Sequence, residues 1–269
     1  MASQWDNFLG NLGEWHGSFD ALDASGAVLS STPSVLRLEA ADNNTLVHFS
    51  LKRFGPEGRS GAPISETQQE YRTLGRQVVF FASGSFCKGS LQVAPGTPFG
   101  AEFGFIHADR RHRLVQLHSS DGQFERLVLI REHRAGTPEA DCPALTPDQL
   151  QGTWRGTAAT ITADWPEPEC SEAALRVDAV GPGPWAFELS HGSAPPQSIS
   201  GQHGKLTLQW LPDGGYHLAP SCITHRQAFM VQAGWLRDPG HLDVLIRDYD
   251  ASGAWSSASW LALRRDQAS

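Results

Sequence analysis

No apolar run in this chain approaches the roughly 18 residues that cross a bilayer as a helix, so no membrane span is expected. The opening, Met1-Ala2-Ser3-Gln4-Trp5-Asp6, lacks the basic and apolar regions of a secretory leader, and the expectation is a cytoplasmic protein. The four cysteines, Cys87, Cys142, Cys170 and Cys222, form no Cys-x-x-Cys pair. Reduced thiols are then the default. No His-x-His or His-Glu-x-x-His spacing occurs, so no metal site is expected. Positive charge is scarce as well: 21 Lys and Arg stand against 29 Asp and Glu, a net charge of −8. That balance excludes a protein that binds nucleic acid or anionic membrane mainly by electrostatics, because phosphate neutralisation needs clustered cations. The one dense basic run, Arg110-Arg111-His112-Arg113, reads as a solvated turn rather than an anion site.

What is present is a repeat. Leu12-Gly13-Glu14-Trp15-His16-Gly17 returns as Gln151-Gly152-Thr153-Trp154-Arg155-Gly156, and Leu36-Arg37-Leu38-Glu39-Ala40 as Leu175-Arg176-Val177-Asp178-Ala179, both 139 residues later. Tyr71 and Gly75 map to Trp210 and Gly214 at the same offset. Between these anchors the register slips once. The alternating set Val47, Phe49, Leu51 matches Trp185, Phe187, Leu189 at 138, so the turn at 41–45 is one residue longer than its partner at 180–184. A slip flips every side chain of a strand, so alternation and not letter identity decides the register. Further on, Gly104-Phe105 resembles Gly234-Trp235, and Leu127-Val128-Leu129-Ile130-Arg131-Glu132 resembles Leu261-Ala262-Leu263-Arg264-Arg265-Asp266. The reading is one unit over 1–136, a Pro/Gly/acidic linker over 137–144 and a second unit over 145–269.

Each unit opens with a short helix. Ser3-Gln4-Trp5-Asp6 has the form of a capping box, and Thr146-Pro147-Asp148-Gln149 places Thr at N-cap, Pro at N1 and Gln at N3. Short alternating runs follow, among them Leu36/Leu38, Val78/Phe80, Val115/Leu117 and Leu127/Leu129, separated by Gly, Asn, Asp or Pro. About eight such strands per unit, antiparallel and up-and-down, close into a barrel and so remove exposed sheet edges. The fold class predicted is all-β, with two tandem antiparallel barrels each preceded by a short helix.

The Trp motifs carry a family resemblance. Gly13-Glu14-Trp15 and Gly152-Thr153-Trp154 resemble the opening Gly-x-Trp strand of lipocalins and other calycins, and the short helix and closing Arg strand add to the likeness. Over nearly its full length the chain resembles an uncharacterised calycin family common in cyanobacteria. The wider group includes retinoid and fatty-acid carriers, haem-binding barrels and bilin lyases. The resemblance implies a fold and a ligand class rather than a reaction. It also implies that Trp15 and Trp154 lie on the barrel floors and that the closing strand ends beside them. On that basis Arg131 is expected to stack on Trp15, and Arg265 on Trp154.

The function expected is a small-molecule binding protein holding an apolar or amphipathic ligand: a pigment, tetrapyrrole, lipid or isoprenoid. The alternatives are a lyase or isomerase using the barrel as a reaction chamber, and a structural or protein-interaction module with filled barrels. The candidate ligand-binding residues are Phe49, Gln69, Tyr71, Glu102, Phe103, Phe105, Trp210 and Trp235. Leu36, Leu38, Val47, Phe49, Phe103 and Phe105 are expected to face inward. Glu102 either points outward or, if inward, needs Arg113 or Arg126 as partner. His48 and His118 could serve as pocket bases, and Cys87 beside Lys88 as a nucleophile, although no third orienting group is in view. Neither a catalytic set nor a cofactor is indicated.

Overall fold

The computed structural model describes every residue except 1, 24, 166, 180–184, 194, 202–204 and 267–269. Helix α1 (Gln4–Leu9) opens the first half and α2 (Pro147–Leu150) the second. Asp6 N–H donates to Ser3 Oγ at 3.1 Å and Ser3 N–H to Asp6 Oδ2 at 2.9 Å, which is the capping box read from the sequence. In the second half Thr146 N–H donates to Gln149 Oε1 at 2.8 Å. These bonds satisfy donors that a helix start leaves without intrahelical partners.

All else regular is β, apart from one 3-10 turn. The first half holds β1 (Gly13–Leu22), β2 (Val28–Ala41), β3 (Leu46–Phe54), β4 (Pro63–Tyr71), β5 (Val78–Phe80), β6 (Phe86–Gly89), β7 (Phe99–His107), β8 (Arg110–His118) and β9 (Phe124–Arg134). The second holds β10 (Gly152–Thr162), β11 (Glu169–Ala179), β12 (Trp185–His191), β13 (Gln197–Ser200), β14 (Leu206–Trp210), β15 (Gly215–Pro220), β16 (Phe229–Asp238), β17 (His241–Tyr249) and β18 (Trp255–Arg265). Each half is one nine-stranded antiparallel sheet, ordered β4-β3-β2-β1-β9-β8-β7-β6-β5 and β13-β12-β11-β10-β18-β17-β16-β15-β14. First and last strands pair, as in an up-and-down barrel. Neither sheet closes, however: β4 and β5, and likewise β13 and β14, remain edges. The expectation of full closure fails at β4 because Ser65-Glu66-Thr67-Gln68-Gln69-Glu70 is polar and exposed along its whole length. A charged polar strand has no apolar face to press against β5, and it blunts its own edge.

The repeat is real and its register can be checked. Leu36 pairs with Leu51 and Leu38 with Phe49, as Leu175 pairs with Leu189 and Val177 with Phe187, which is the one-residue slip. The shorter turn itself, 180–184, lies outside the described residues. One equivalence is corrected. Trp210 pairs with Tyr216 as Phe80 pairs with Phe86, so Trp210 is the counterpart of Phe80 and not of Tyr71. The equal spacing of Tyr71 and Trp210 is accidental, because the second half is shorter between its third and fifth strands.

The floor prediction holds in the second half only. The Arg265 guanidinium lies 4.2 Å from the centre of the Trp154 ring and donates to Gln151 O at 2.7 Å, tying sheet to helix. In the first half it is Arg134 that lies 4.4 Å from Trp15 and donates to Leu12 O at 3.0 Å. Arg131 instead points outward to Asp20 and Asp141. The pairing explains the error: Trp15 faces Arg134 and Trp154 faces Arg265, so Ile130 and Glu132, not Leu127 and Leu129, correspond to Leu261 and Leu263. Letter identity selected an alignment three residues off. An odd slip in a strand exchanges inside for outside.

Phe103 and Phe105 are likewise turned away from the first barrel. With Leu114, Leu127 and Leu129 they join Val231, Ala233, Trp235, Leu245 and Tyr249 in a core shared by the two halves. Its contacts occur in reciprocal pairs. Val93 N–H donates to Gly253 O (2.8 Å) and Ile223 N–H to Gly122 O (2.9 Å). Trp255 N–H donates to Leu91 O, and Phe124 N–H to Ser221 O, both at 2.9 Å. Tyr249 hydroxyl donates to Ser90 O (2.8 Å), and His118 Nε2 sits 2.9 Å from Pro220 O. Phe105 and Trp235, the counterparts of one another, meet with centroids 6.2 Å apart. Each half thus presents the same patch to the other, the isologous geometry of a twofold dimer within one chain. The sheets are buried on both faces here, and period-two alternation cannot say which buried face is the barrel interior. Among the described residues no helix is long and apolar enough to cross a membrane.

Candidate functional site

A cavity of about 360 Å³ lies inside the first sheet. Its apolar wall comes from Phe8 of α1, Leu36 and Leu38 of β2, Phe49 of β3, and Phe80 and Phe86 of β5 and β6. The connection from β4 to β5, with Thr73, Leu74, Gly75 and Gln77, lines its mouth along the seam between the two free edges. This volume sits near the low end of small-molecule sites, roughly 300–1,000 Å³.

The polar side of the cavity is built from β6, β7, β8 and β9. Pleating sends Arg111 and Arg113 inward from β8, while Arg110, His112, Leu114, Gln116 and His118 face the second half. Arg111 Nε and Nη2 donate to Glu132 Oε2 at 2.9 and 2.7 Å. Arg113 Nε donates to Glu102 Oε1 at 3.0 Å, and its Nη1 lies 3.3 Å from Glu132 Oε1. The Arg111 guanidinium also covers the Trp15 ring at 4.6 Å, on which Arg134 packs as well. Lys88 of β6 lines the cavity and faces Glu102 across the strand pair. Burial by itself would raise the Glu132 carboxyl, but the Arg111 and Arg113 guanidiniums outweigh it and hold the group below its usual range. Burial opposes charge on Arg113, and Glu102 and Glu132 overcome it, so its pKa is raised. Glu132 and Arg113 are therefore held in their charged forms, although Glu132 is wholly buried.

The basic run Arg110 to Arg113 is thus a strand divided between two buried faces and not a solvated turn, a correction to the sequence reading. Its partners explain the miss. Glu102, Glu132 and Asp213 lie far away in sequence, with Asp213 holding both Arg110 and His112 from the other half. A charge run looks solvated until its distant counter-ions are known.

Of the residues singled out in advance, Phe49, Tyr71 and Glu102 line the cavity together. Glu102 points inward with Arg113 as its partner, one of the two offered by the sequence. Burial, and then the Glu102 charge, push the Tyr71 pKa up. The Tyr71 hydroxyl donates to Gln69 Oε1 at 2.6 Å, and Gln69 stands exposed on β4, lining a second, charge-lined hollow of about 610 Å³ with Glu14, Arg37, Lys52 and Glu66. Phe103, Phe105 and Trp235 lie in the core between the halves, and Trp210 packs against the interior of the second sheet. His48 is half exposed beside Glu70, and His118 is buried between the halves. The Cys87 thiol is buried there too, and burial pushes its pKa up to about 12, which removes it as a nucleophile. The residues missed by sequence reasoning are Arg111 and Glu132; Arg113 was foreseen only as a partner for Glu102, and Lys88 only as a neighbour of Cys87.

The second half serves as an internal control. Strand pairing places Leu218, Gln232, Leu242, Val244 and Leu263 where the first half has Lys88, Glu102, Arg111, Arg113 and Glu132. Leu218, Leu242, Val244 and Leu263 join Trp154, Phe187 and Tyr216 in a continuous apolar core. Among the described residues the interior of the second half is apolar at four of these five positions, whereas its twin keeps a cavity over a charged floor.

These features define a tandem lipocalin-like protein whose first unit holds a cavity over a charged floor and whose second has an apolar core. The chain belongs to the DUF3598 family: the N-terminal domain of that family of unknown function matches residues 1–137. A crystal structure of a DUF3598 protein of unknown function from Nostoc punctiforme is 35% identical, with a TM-score of 0.88 over 99% of this chain and 100% of that one. Residues 141–183 and 197–265 match the C-terminal domain of "Biogenesis factor required for ATP synthase 1". The S-type phycobiliprotein lyase CPES from Guillardia theta is 13% identical, with a TM-score of 0.31 over 46% of this chain and 92% of that one. No match was found among the curated proteins.

Proposed function

We propose that this protein is a small-molecule binding protein that takes one apolar or amphipathic ligand into its first barrel, with residues 1–136 as the carrying unit, 137–144 as linker and 145–269 as a second unit with an apolar core. The observation that carries the reading is the contrast between the halves. Burying Arg111, Arg113, Glu102 and Glu132 costs desolvation free energy that a hydrophobic set of similar volume avoids, and the second half shows that this fold accepts the hydrophobic set. A charged floor under an aromatic cavity is then retained for something other than folding. Phe49 and Tyr71 serve as wall and Glu102 as part of the polar floor. The free thiols suit a cytoplasmic setting. Native mass spectrometry after gentle purification, followed by calorimetric titration with decanol, tests the proposal. One ligand per chain is expected, with at least tenfold weaker uptake in Thr73→Trp, which crowds the mouth. Two equivalents per chain, or uptake indifferent to Thr73→Trp, would overturn it.

A second reading concerns the second unit, whose described interior is an apolar core. Its match to a biogenesis-factor domain supports an interaction role for its outer surface. The intact protein should then co-sediment with isolated soluble subunits of an ATP synthase; unchanged sedimentation of both would remove this reading.

A further inference from the structure

The charge balance of the cavity names a class of ligand; this step rests on the binding reading above. Three cations, Arg111, Arg113 and Lys88, meet two carboxylates, Glu102 and Glu132, leaving one positive charge in excess. The excess has a place. Arg113 is held by both carboxylates. Arg111 gives Nε and Nη2 to Glu132, and no acceptor among the described residues takes its Nη1, although only 3% of the side chain is exposed. Lys88 makes no ion pair among the described residues and stands at the same cavity. The Trp15 ring beneath the Arg111 guanidinium keeps that group flat and pre-oriented.

Size narrows the class further. A cavity of about 360 Å³ stands near the low end of small-molecule sites, roughly 300–1,000 Å³, which favours a slender single-chain ligand over a four-ring tetrapyrrole. We infer that the cavity selects a medium-chain carboxylate, its head taken by Arg111 Nη1 and Lys88 and its chain laid along Leu36, Leu38, Phe49 and Phe80.

The test is calorimetric titration of the full chain with sodium decanoate, decanol and decyltrimethylammonium at pH 7.5, each kept below its aggregation limit. Decanoate should bind at least tenfold tighter than decanol, as expected for a charge-assisted bond, and the ammonium amphipath weakest. Lys88→Gln, at an exposed position that leaves the fold intact, should narrow the decanoate-to-decanol ratio several-fold. Arg111→Leu/Glu132→Leu, which copies the pair Leu242 and Leu263 of the second half, should narrow it further by removing the Nη1 donor, and adding Lys88→Gln to that pair, which leaves Arg113 balanced by Glu102, should bring it close to one. Equal affinity for decanoate and decanol in the wild type, or preference for the ammonium, would overturn this inference and leave the binding reading standing. Failure of all three probes would overturn both.

Discussion

Glu132→Ala should destabilise the protein by about 3–5 kcal/mol, because it leaves two buried guanidiniums facing one another without their shared carboxylate. Glu132 accepts from both Arg111 and Arg113 and has no exposure to water. The paired change Arg111→Leu/Glu132→Leu should behave oppositely, from neutral to a gain of about 1–4 kcal/mol. It removes both charges at once and leaves Arg113 with Glu102. Equilibrium urea unfolding of the three proteins measures this directly. If the single and double variants lose the same stability, the floor is an ordinary structural ion pair and the functional argument fails with it. If the double variant is stable and its preference for an anionic ligand has narrowed, stability and function have been separated at one site.

The second large effect is on acid stability. His217 is fully buried in the second half, stacked on Phe124 of the first with centroids 4.9 Å apart, and neither ring nitrogen has a partner among the described residues. Burial, helped slightly by His118, pushes its pKa down from 6.5 to about 3. The folded state therefore refuses a proton that the unfolded state binds below pH 6.5. Stability from this group is complete above about pH 6.5 and falls as the pH drops toward 3, by on the order of 5 kcal/mol over the whole range. Asp243 acts in the opposite sense. Burial raises its pKa to about 6, against the opposing Arg237 charge, so its share of stability grows as the pH falls from 6 toward 3.8. These two groups oppose one another within the total acid sensitivity, to which Glu132 and Asp213 also contribute, and a variant isolates the His217 share. Between pH 7 and pH 4, His217→Phe should gain about 3 kcal/mol relative to wild type. Unfolding midpoints at the two pH values give the number. A constant gap between the two proteins would show that His217 takes up protons in the folded state as freely as in the unfolded one.

Much of this architecture was legible in the sequence. The two Trp motifs at constant offset announced the duplication, and alternation in Val47, Phe49 and Leu51 found a register slip that the paired strands show. Both helix starts could be read from four residues each, since capping is a local matter. The Arg–Trp floor was correct in kind, and in residue for the second half.

What the sequence could not decide was which buried face is the inside. Period two reveals that a strand has two faces; it does not reveal what each face meets. In β7, β8 and β9 both faces are covered, one by the barrel interior and one by the other half. The greasier face, with Phe103, Phe105, Leu114, Leu127 and Leu129, belongs to the contact between halves, and the interior of the first unit carries Arg111, Arg113 and Glu132 instead. Hydrophobic pattern alone therefore selects the wrong side. The charges escaped notice for a related reason: a buried cation is stable only beside its counter-ion, and Glu102, Glu132 and Asp213 reach Arg110, Arg111 and Arg113 only once the sheets have formed and the halves have met. Local chemistry in the chain determined the repeated unit; tertiary packing decided that the interior of one copy is charged and that of the other apolar among the described residues.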